Sequence, residues 1–174
     1  MNTDANPPSL NQFTVAIIWF VLIMLAMALI FNGMLDTINN PNQQLTVSIN
    51  QNGEKEIVLE RNKYGHYVAT GKINGQPVEF FLDTGATVVA IPEHIAEKLN
   101  LEKGQRFLTQ TANGNSKSYE TTLDSVSLGD IVITNVPASI SSGMEFDEIL
   151  LGMSFLKHLD MRQQGKTLTL RVPD

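Results

Sequence analysis

The chain of 174 residues is long enough for one domain of ordinary size and an additional segment. Its 43% hydrophobic and 17% charged content is typical of a globular protein rather than a disordered one. The net charge is −6 and no basic stripe occurs, which argues against a nucleic-acid partner. The absence of cysteine excludes disulfides, thiolate metal sites and cysteine nucleophiles.

An uncharged apolar run follows the polar N-terminal tail, residues 1–13. It reads TVAIIWFVLIMLAMALIF and can extend to residue 35, which is enough to cross about 30 Å of hydrocarbon. We therefore predict a transmembrane anchor over 14–35. A cleavable signal peptide is the alternative, but the tail has no Lys or Arg and the apolar run continues past Ala28. A buried core helix is disfavoured because no polar face occurs at helical spacing.

The next segment, 36–44, reads DTINNPNQQ and is predicted to be a linker, because it is polar and contains a proline and several asparagines. A flexible chain of this length spans only about 20 Å, so the folded part should lie close to the bilayer. The folded domain is then expected over 45–174.

Within 45–174 the apolar pattern changes to a period of two. The runs 45–49 and 56–59 flank Asn52-Gly53, which is typical of a hairpin turn. Further runs of strand character are 64–73, 77–82, 106–111, 116–126, 131–133, 136–140, 149–152 and 167–172. Short helices are predicted over 92–99, where proline stands at the helix start, and over 153–159. Many short strands with tight turns predict a mostly-β barrel or sandwich.

One acidic residue stands out, at the end of the apolar strand 77–82. Asp83-Thr84-Gly85 follows two phenylalanines and a leucine, and a second apolar run comes after it. Burying an unpaired carboxylate is unfavourable, so we predict that Asp83 is half of a catalytic pair. The tripeptide alone is weak evidence, since it occurs by chance. Its context is stronger, because Leu150-Leu151-Gly152 follows later and runs into the helix candidate.

This ordered set, with the string LGMSFL from residue 151 and a hairpin between the two motifs, resembles the retropepsin-like aspartic proteases, in particular the bacterial membrane-anchored single-domain members. The resemblance covers roughly 64–172. It implies a mostly-β, closed retropepsin-like barrel of the single-lobe acid protease type, preceded by one transmembrane helix. It also implies an aspartic endopeptidase that needs no cofactor or metal.

The chain has a single Asp-Thr-Gly, so one copy holds half a site. The resemblance therefore implies a twofold homodimer with two Asp83 carboxylates at its axis. Its partners would be a protein or peptide substrate, a second copy and the membrane. The implied location is the bacterial inner membrane, as a single-pass protein with the protease domain on the periplasmic side. The flanking charges do not set the orientation, because neither flank carries Lys or Arg.

By the same resemblance, the residues after Asp83 support the active loop. Thr84 would bond across the axis to the second copy, and Gly85 would allow close approach and offer its amide. Ala86 and Thr87 complete the loop. A serine in place of Ala86 could donate a hydrogen bond that stabilises the ionised carboxylate, and alanine cannot. We therefore expect activity nearer neutral pH than in serine-bearing relatives.

The resemblance assigns roles to two further segments. Leu150, Leu151 and Gly152 would form the layer beneath the active loop. The hairpin tip would be a flap that closes over substrate, with an ordinary surface hairpin as the alternative; its residues are Ala112, Asn113, Gly114 and Asn115. Met153 and Ser154 replace the arginine-containing pair of retroviral enzymes, so the dimer interface is expected to use other contacts.

The sequence gives little support for other kinds of catalytic site, such as a zinc site or a serine nucleophile. The three histidines, His66, His94 and His158, lack the spacing of a zinc site, and no Gly-x-Ser-x-Gly is present. The remaining aspartates of turn-like segments lack a following Thr-Gly. The competing hypothesis is a catalytically silent module of the same fold that binds peptides or dimerises at the membrane, since fold alone does not fix function.

Overall fold

A computed structural model describes residues 11–49, 53–111 and 114–173. The helices are α1 Gln12–Asn39, α2 Glu93–Lys98 and α3 Met153–Leu156. The strands are β1 Val47–Ile49, β2 Lys55–Glu60, β3 Val68–Ile73, β4 Gln76–Leu82, β5 Val89–Pro92, β6 Arg106–Thr111, β7 Gly114–Leu128, β8 Ile131–Ser141, β9 Ile149–Leu151, β10 Asp160–Gln164 and β11 Thr167–Arg171. The chain divides into two compact units between Asp36 and Thr37.

The first unit contains most of α1, a helix of 28 residues that includes the predicted anchor and ends at Asn39. None of the helix residues is buried. At 1.5 Å per residue it is about 42 Å long, which exceeds the hydrocarbon thickness of a bilayer. Within the described part of the chain, α1 is the one helix long and apolar enough to cross a membrane.

The second unit is built around a seven-stranded sheet in the order β3-β4-β9-β5-β8-β7-β6. Strand β3 also pairs with β7, through Lys72↔Ser127 and Ile73↔Val126. This pairing closes β3, β4, β9, β5, β8 and β7 into a ring, and β6 remains outside it as an edge strand. The prediction of a mostly-β, closed retropepsin-like barrel is confirmed.

A second sheet has four antiparallel strands in the order β1-β2-β11-β10. Alternate residues of β2 and β11 are buried, including Ile57 and Leu170, and they join the same core as Phe80 of the barrel. Strand β10 was not predicted. All five of its residues are exposed, so no apolar alternation marks it, and it forms by pairing with β11. Its existence depends on the partner strand rather than on its own sequence.

Several helix and strand bounds differ from the prediction. The strand predicted over 64–73 begins only at Val68, as β3. Helix α3 ends at Leu156 instead of 159, and Leu159 is buried just before β10. Strand β8 is continuous where two strands were expected. It passes through Asn135, which has a positive φ of 54°. Asparagine tolerates this left-handed conformation better than most residues, so the strand continues past a local distortion.

The predicted linker 36–44 is not a free chain. Helix α1 runs to Asn39, and Asn40 and Asn42 are 1% and 5% exposed. The Asn40 amide nitrogen donates to Thr70 Oγ1 at 3.1 Å and to Glu79 Oε2 at 2.9 Å. These bonds fix the segment to β3 and β4. The sequence showed a polar segment, but the burial of its amides follows from partners far along the chain.

Asn42 joins the two sheets. Its Nδ2 donates to the carbonyl oxygens of Glu60 at 2.9 Å and Val68 at 2.7 Å, and its Oδ1 accepts from the Glu60 amide at 2.7 Å. Glu60 ends β2 and Val68 begins β3. One side chain thus supplies the hydrogen bonds that a strand between these sheets would otherwise make.

Candidate active site

The candidate active loop, residues 83–88, connects β4 to β5. These strands are not neighbours, because β9 lies between them. Strand β9 is parallel to β4, with Phe81↔Leu150, and antiparallel to β5, with Ala90↔Leu150. The loop therefore crosses over the end of β9, and Leu150-Leu151-Gly152 lies directly against it. The structure brings these two predicted segments together.

Asp83 is half-buried and lines a cleft. Its backbone amide donates to Leu151 O at 3.2 Å, and its carbonyl accepts from the Ala86 amide at 3.2 Å. The Gly85 amide donates to the carboxylate Oδ1 at 2.8 Å. Among the described residues, no cation or side-chain donor pairs with this carboxylate. The Asp83 carboxylate is oriented by a backbone amide and remains open to the cleft.

Gly152 is required by the close approach of two backbones. A Cβ at this position would meet Ala86 O at 2.6 Å and would also collide with Val88 O. The Met153 amide donates to Ala86 O at 2.8 Å, which fixes the same contact. Any side chain here would push the active loop away from β9. The glycine therefore sets how closely the loop packs on the layer beneath it.

Ser154 supports the loop from below, a role that the sequence did not indicate. It is buried in α3, and its Oγ accepts a hydrogen bond from the Val89 amide at 3.0 Å. Val89 is the first residue of β5. A buried hydroxyl needs a partner, and a serine inside an apolar helix start was the available signal. The same residue replaces part of the arginine-containing pair of retroviral enzymes.

The cleft beside Asp83 has a volume of about 810 Å³. Residues with hydroxyl side chains on β6, β7 and β8 line it, namely Thr109, Ser118, Thr121, Thr122, Ser139 and Ser141. Larger apolar residues also line it, namely Val88, Phe107, Met144, Phe146 and Leu150. Except for Leu150, the sequence did not identify any of these as site residues, because cleft lining depends on how distant segments meet.

The predicted flap is part of the β6–β7 hairpin. Ala112 and Asn113 lie outside the described residues, whereas Gly114 and Asn115 begin β7 and pair with Thr111 and Gln110. Lower in the hairpin, Thr109 Oγ1 donates to Ser118 Oγ at 2.8 Å, and both residues line the cleft. Both strands of the hairpin thus contribute residues to the lining of the cleft.

The middle of this hairpin is bonded to the end of β8. The Oγ atoms of Ser116 and Ser141 are 3.2 Å apart, and the Ser142 amide donates to Lys117 O at 3.1 Å. A Cβ on Gly143 would lie 3.0 Å from Ser116 Cβ and would collide with Ser116 Oγ. A side chain on Gly143 would therefore displace the Ser116 hydroxyl, which is bonded to Ser141.

The remaining predicted residues are distributed around the loop. Thr84, Gly85 and Thr87 are exposed, and Ala86 is half-buried and lines the cleft. Of the histidines, His94 Nε2 lies 2.7 Å from Asp147 Oδ1 and the ring of His66 packs against Phe81. Across the described residues, no group of three His, Cys, Asp or Glu side chains converges on a metal-sized site.

Comparison with known proteins agrees with this geometry. Residues 69–158 match the family model described as "gag-polyprotein putative aspartyl protease". This match includes the Asp83 loop, β9 and α3. An uncharacterized protein of Sinorhizobium sp is 31% identical over 170 residues, which cover 92% of this chain and 72% of that protein.

Two further similarities involve Rickettsia proteins. An uncharacterized protein of Rickettsia prowazekii (strain Madrid E) is 32% identical over 105 residues, and the match covers 59% of this chain and 45% of that protein. The crystal structure of a retropepsin-like aspartic protease from Rickettsia conorii superposes with a TM-score of 0.57 at 26% identity, covering 74% of this chain and 96% of that one.

Proposed function

Because the chain belongs to the gag-polyprotein aspartyl protease family, we propose that it is an aspartic endopeptidase active as a homodimer. The observation that supports this most directly is the setting of Asp83. Its carboxylate is held by the Gly85 amide, has no cation partner among the described residues and faces a cleft large enough for a peptide segment. A carboxylate that a backbone amide orients at a cleft, with no cation beside it, is placed to exchange a proton with a bound water.

The chemistry requires a second carboxylate. Two carboxylates a few ångströms apart cannot both ionise, so one is ionised while the other keeps a proton, as the aspartic proteases illustrate in general. This chain supplies one Asp-Thr-Gly. A twofold pair of chains would supply the second Asp83 and place the two loops at the axis.

In this arrangement the ionised Asp83 takes a proton from the water held between the carboxylates. The resulting hydroxide adds to the scissile carbonyl carbon, and the protonated Asp83 of the second copy donates its proton to the carbonyl oxygen. When the tetrahedral intermediate collapses, the C–N bond breaks and the leaving nitrogen takes a proton from the first Asp83. The hydroxyl proton returns to the other carboxylate, so the pair is regenerated.

The loop and hairpin residues would assist these steps. Exposed Thr84 is available to bond to the second copy, and the Gly85 amide keeps Oδ1 oriented. The β6–β7 hairpin would close over bound peptide and exclude water, with Ala112 to Asn115 at its tip. Gly152 and Ser154 hold the loop from below, which preserves the direction of the carboxylate.

The protease domain, within 45–174, would be tethered by 14–35 in a bacterial inner membrane, on the periplasmic side. The length and apolar character of α1 support the anchor. Confinement to a membrane raises the effective concentration of the chains and would favour a weak dimer. The tail 1–13 and the segment 36–44 flank this span, and the substrates would be proteins or peptides near the membrane.

The test compares wild-type chain with Asp83→Asn, both purified at full length in detergent micelles and incubated with a mixed peptide library. We expect cleavage by the wild type and none by Asp83→Asn, because asparagine cannot carry the proton between water and substrate. Asp130→Asn, in the exposed turn between β7 and β8, is the matched control and should cleave normally. Equal cleavage by the wild type and Asp83→Asn would overturn the proposal. Peptide binding by both without cleavage would favour the catalytically silent module.

A further inference from the structure

The charged residues that line the cleft are all acidic. Of the described residues that line it, only Asp83 and Glu120 are charged, and no Lys, Arg or His is among them. Asp83 has a place in the proposed chemistry, whereas Glu120 has none. Glu120 was not singled out in the sequence, because it stands in an ordinary strand pattern.

Glu120 lies on β7, on the same face as Ser118 and Thr122, since alternate residues of a strand share a face. All three residues line the cleft. The Glu120 backbone is fixed, because its amide donates to Gln105 O at 2.9 Å and its carbonyl accepts from the Gly104 amide at 2.8 Å. Its side chain is exposed. Glu120 also lines a second cleft, to which Lys103 contributes, so its exposed carboxylate stands on an anchored strand at the border of the two clefts.

No nearby cation neutralises this carboxylate. Lys103 is on the neighbouring segment, but its Nζ lies 2.6 Å from Glu93 Oε1 and 3.7 Å from Glu97 Oε1. The hydrogen bond to Glu93 is the main cause of the raised pKa of Lys103. Arg106 and Lys117, on either side along the hairpin, do not line the cleft. Within the described part of the chain, Glu120 makes no ion pair.

We propose that Glu120 is a specificity-determining residue that selects peptides carrying a basic side chain beside β7 and rejects acidic ones. The inference rests on the proposed peptidase function and adds the class of substrate. A bound peptide displaces water from the cleft, which lowers the local dielectric and strengthens the effect of a fixed charge. The singly ionised Asp83 pair adds a second negative charge nearby, so an acidic substrate meets repulsion from both.

The experiment uses peptides of one sequence with two apolar residues at the centre and lysine, glutamine or glutamate placed in turn at each flanking position. With the full-length chain in micelles, we expect one position on each side of the scissile bond, because the twofold pair supplies two Glu120 side chains. At these positions kcat/KM for lysine should exceed that for glutamate on the order of tenfold, as attraction and repulsion at a partly exposed site combine. The ratio should fall towards one in Glu120→Gln and reverse in Glu120→Lys. High salt should reduce the wild-type ratio.

Asp130→Asn removes the same charge from the exposed β7–β8 turn and should leave the ratio unchanged. An unchanged ratio in Glu120→Gln would overturn the inference, and so would equal loss in Asp130→Asn. Binding of the same peptides to Asp83→Asn separates this inference from the proposed function. A lysine preference in binding that depends on Glu120 would support the charge selection even if no peptide is cleaved. If Asp83→Asn binds lysine and glutamate peptides equally well, the charge selection is overturned.

Discussion

At the scale of single residues, Ala86 is the position in the active loop where a hydroxyl side chain could donate a hydrogen bond to the catalytic carboxylate. Its amide and carbonyl are both engaged, with Asp83 O and the Met153 amide, so its backbone place is fixed. Only its side chain lacks a hydrogen-bond donor. A hydroxyl there could stabilise the ionised form of the neighbouring carboxylate.

Ala86→Ser should therefore move the acid limb of the pH–rate profile to lower pH, because the added hydroxyl can donate a hydrogen bond to the ionised carboxylate. The sign follows because the ionised carboxylate, once stabilised, persists to lower pH before it is protonated. The measurement is kcat/KM against pH. Ala90→Ser, which also lines the cleft, is the control and should leave the limb in place. A shift to higher pH would contradict the expectation.

At the scale of elements, Asn42 connects β2 to β3 and thereby the four-stranded sheet to the barrel. Asn42→Ala would leave the buried Val68 carbonyl and the part-buried Glu60 amide without these partners, at about 1–3 kcal/mol of unfolding free energy. Chemical denaturation of the full-length chain measures this loss. Gln43→Ala changes an exposed neighbour and should cost little. Equal stability of the two variants would show that Asn42 is not a structural connection.

The β6–β7 hairpin offers a second test at this scale. Gly143→Ala should displace Ser116 and break its bond to Ser141, because the new methyl group would occupy the position of Ser116 Oγ. Gly143 has no positive φ, so alanine itself fits the backbone. We expect KM for peptide to rise on the order of fivefold with a smaller change in kcat, since the hairpin would be misplaced over substrate.

Ser116→Gly removes the atoms with which the methyl group collides. The double variant Gly143→Ala with Ser116→Gly should therefore recover most of the wild-type KM, although Ser116→Gly alone also loses the bond to Ser141. Such recovery is specific to a steric contact between these two residues. If the double variant is as impaired as Gly143→Ala, the hairpin is not seated by this contact.

At the scale of the whole molecule, the proposed site belongs to two chains. Mixing equal amounts of wild type and Asp83→Asn, allowed to exchange before the assay, should leave about one quarter of the activity of the same total of wild-type chain, as expected for random pairing in a twofold dimer. Independent active monomers would retain about half. Asp130→Asn mixed in the same way should cause no loss, which controls for dilution and handling.

The sequence alone was sufficient for features that depend on local pattern. The uninterrupted apolar run predicted a helix able to cross a membrane, and the period of two with Asn-Gly turns predicted most of the strands. Asp83-Thr84-Gly85 with Leu150-Leu151-Gly152 carried the resemblance to the family, and the structure shows that these motifs meet in close backbone contact.

Only the tertiary structure decided which distant segments meet. It placed β9 between β4 and β5, buried Asn40 and Asn42, formed β10 without any apolar pattern and set Glu120 in the cleft wall. These features arise from contacts between residues far apart in the chain. Local periodicity reports whether a residue faces the core, but the free energy of each pairing depends on its partner, and no local pattern carries that information.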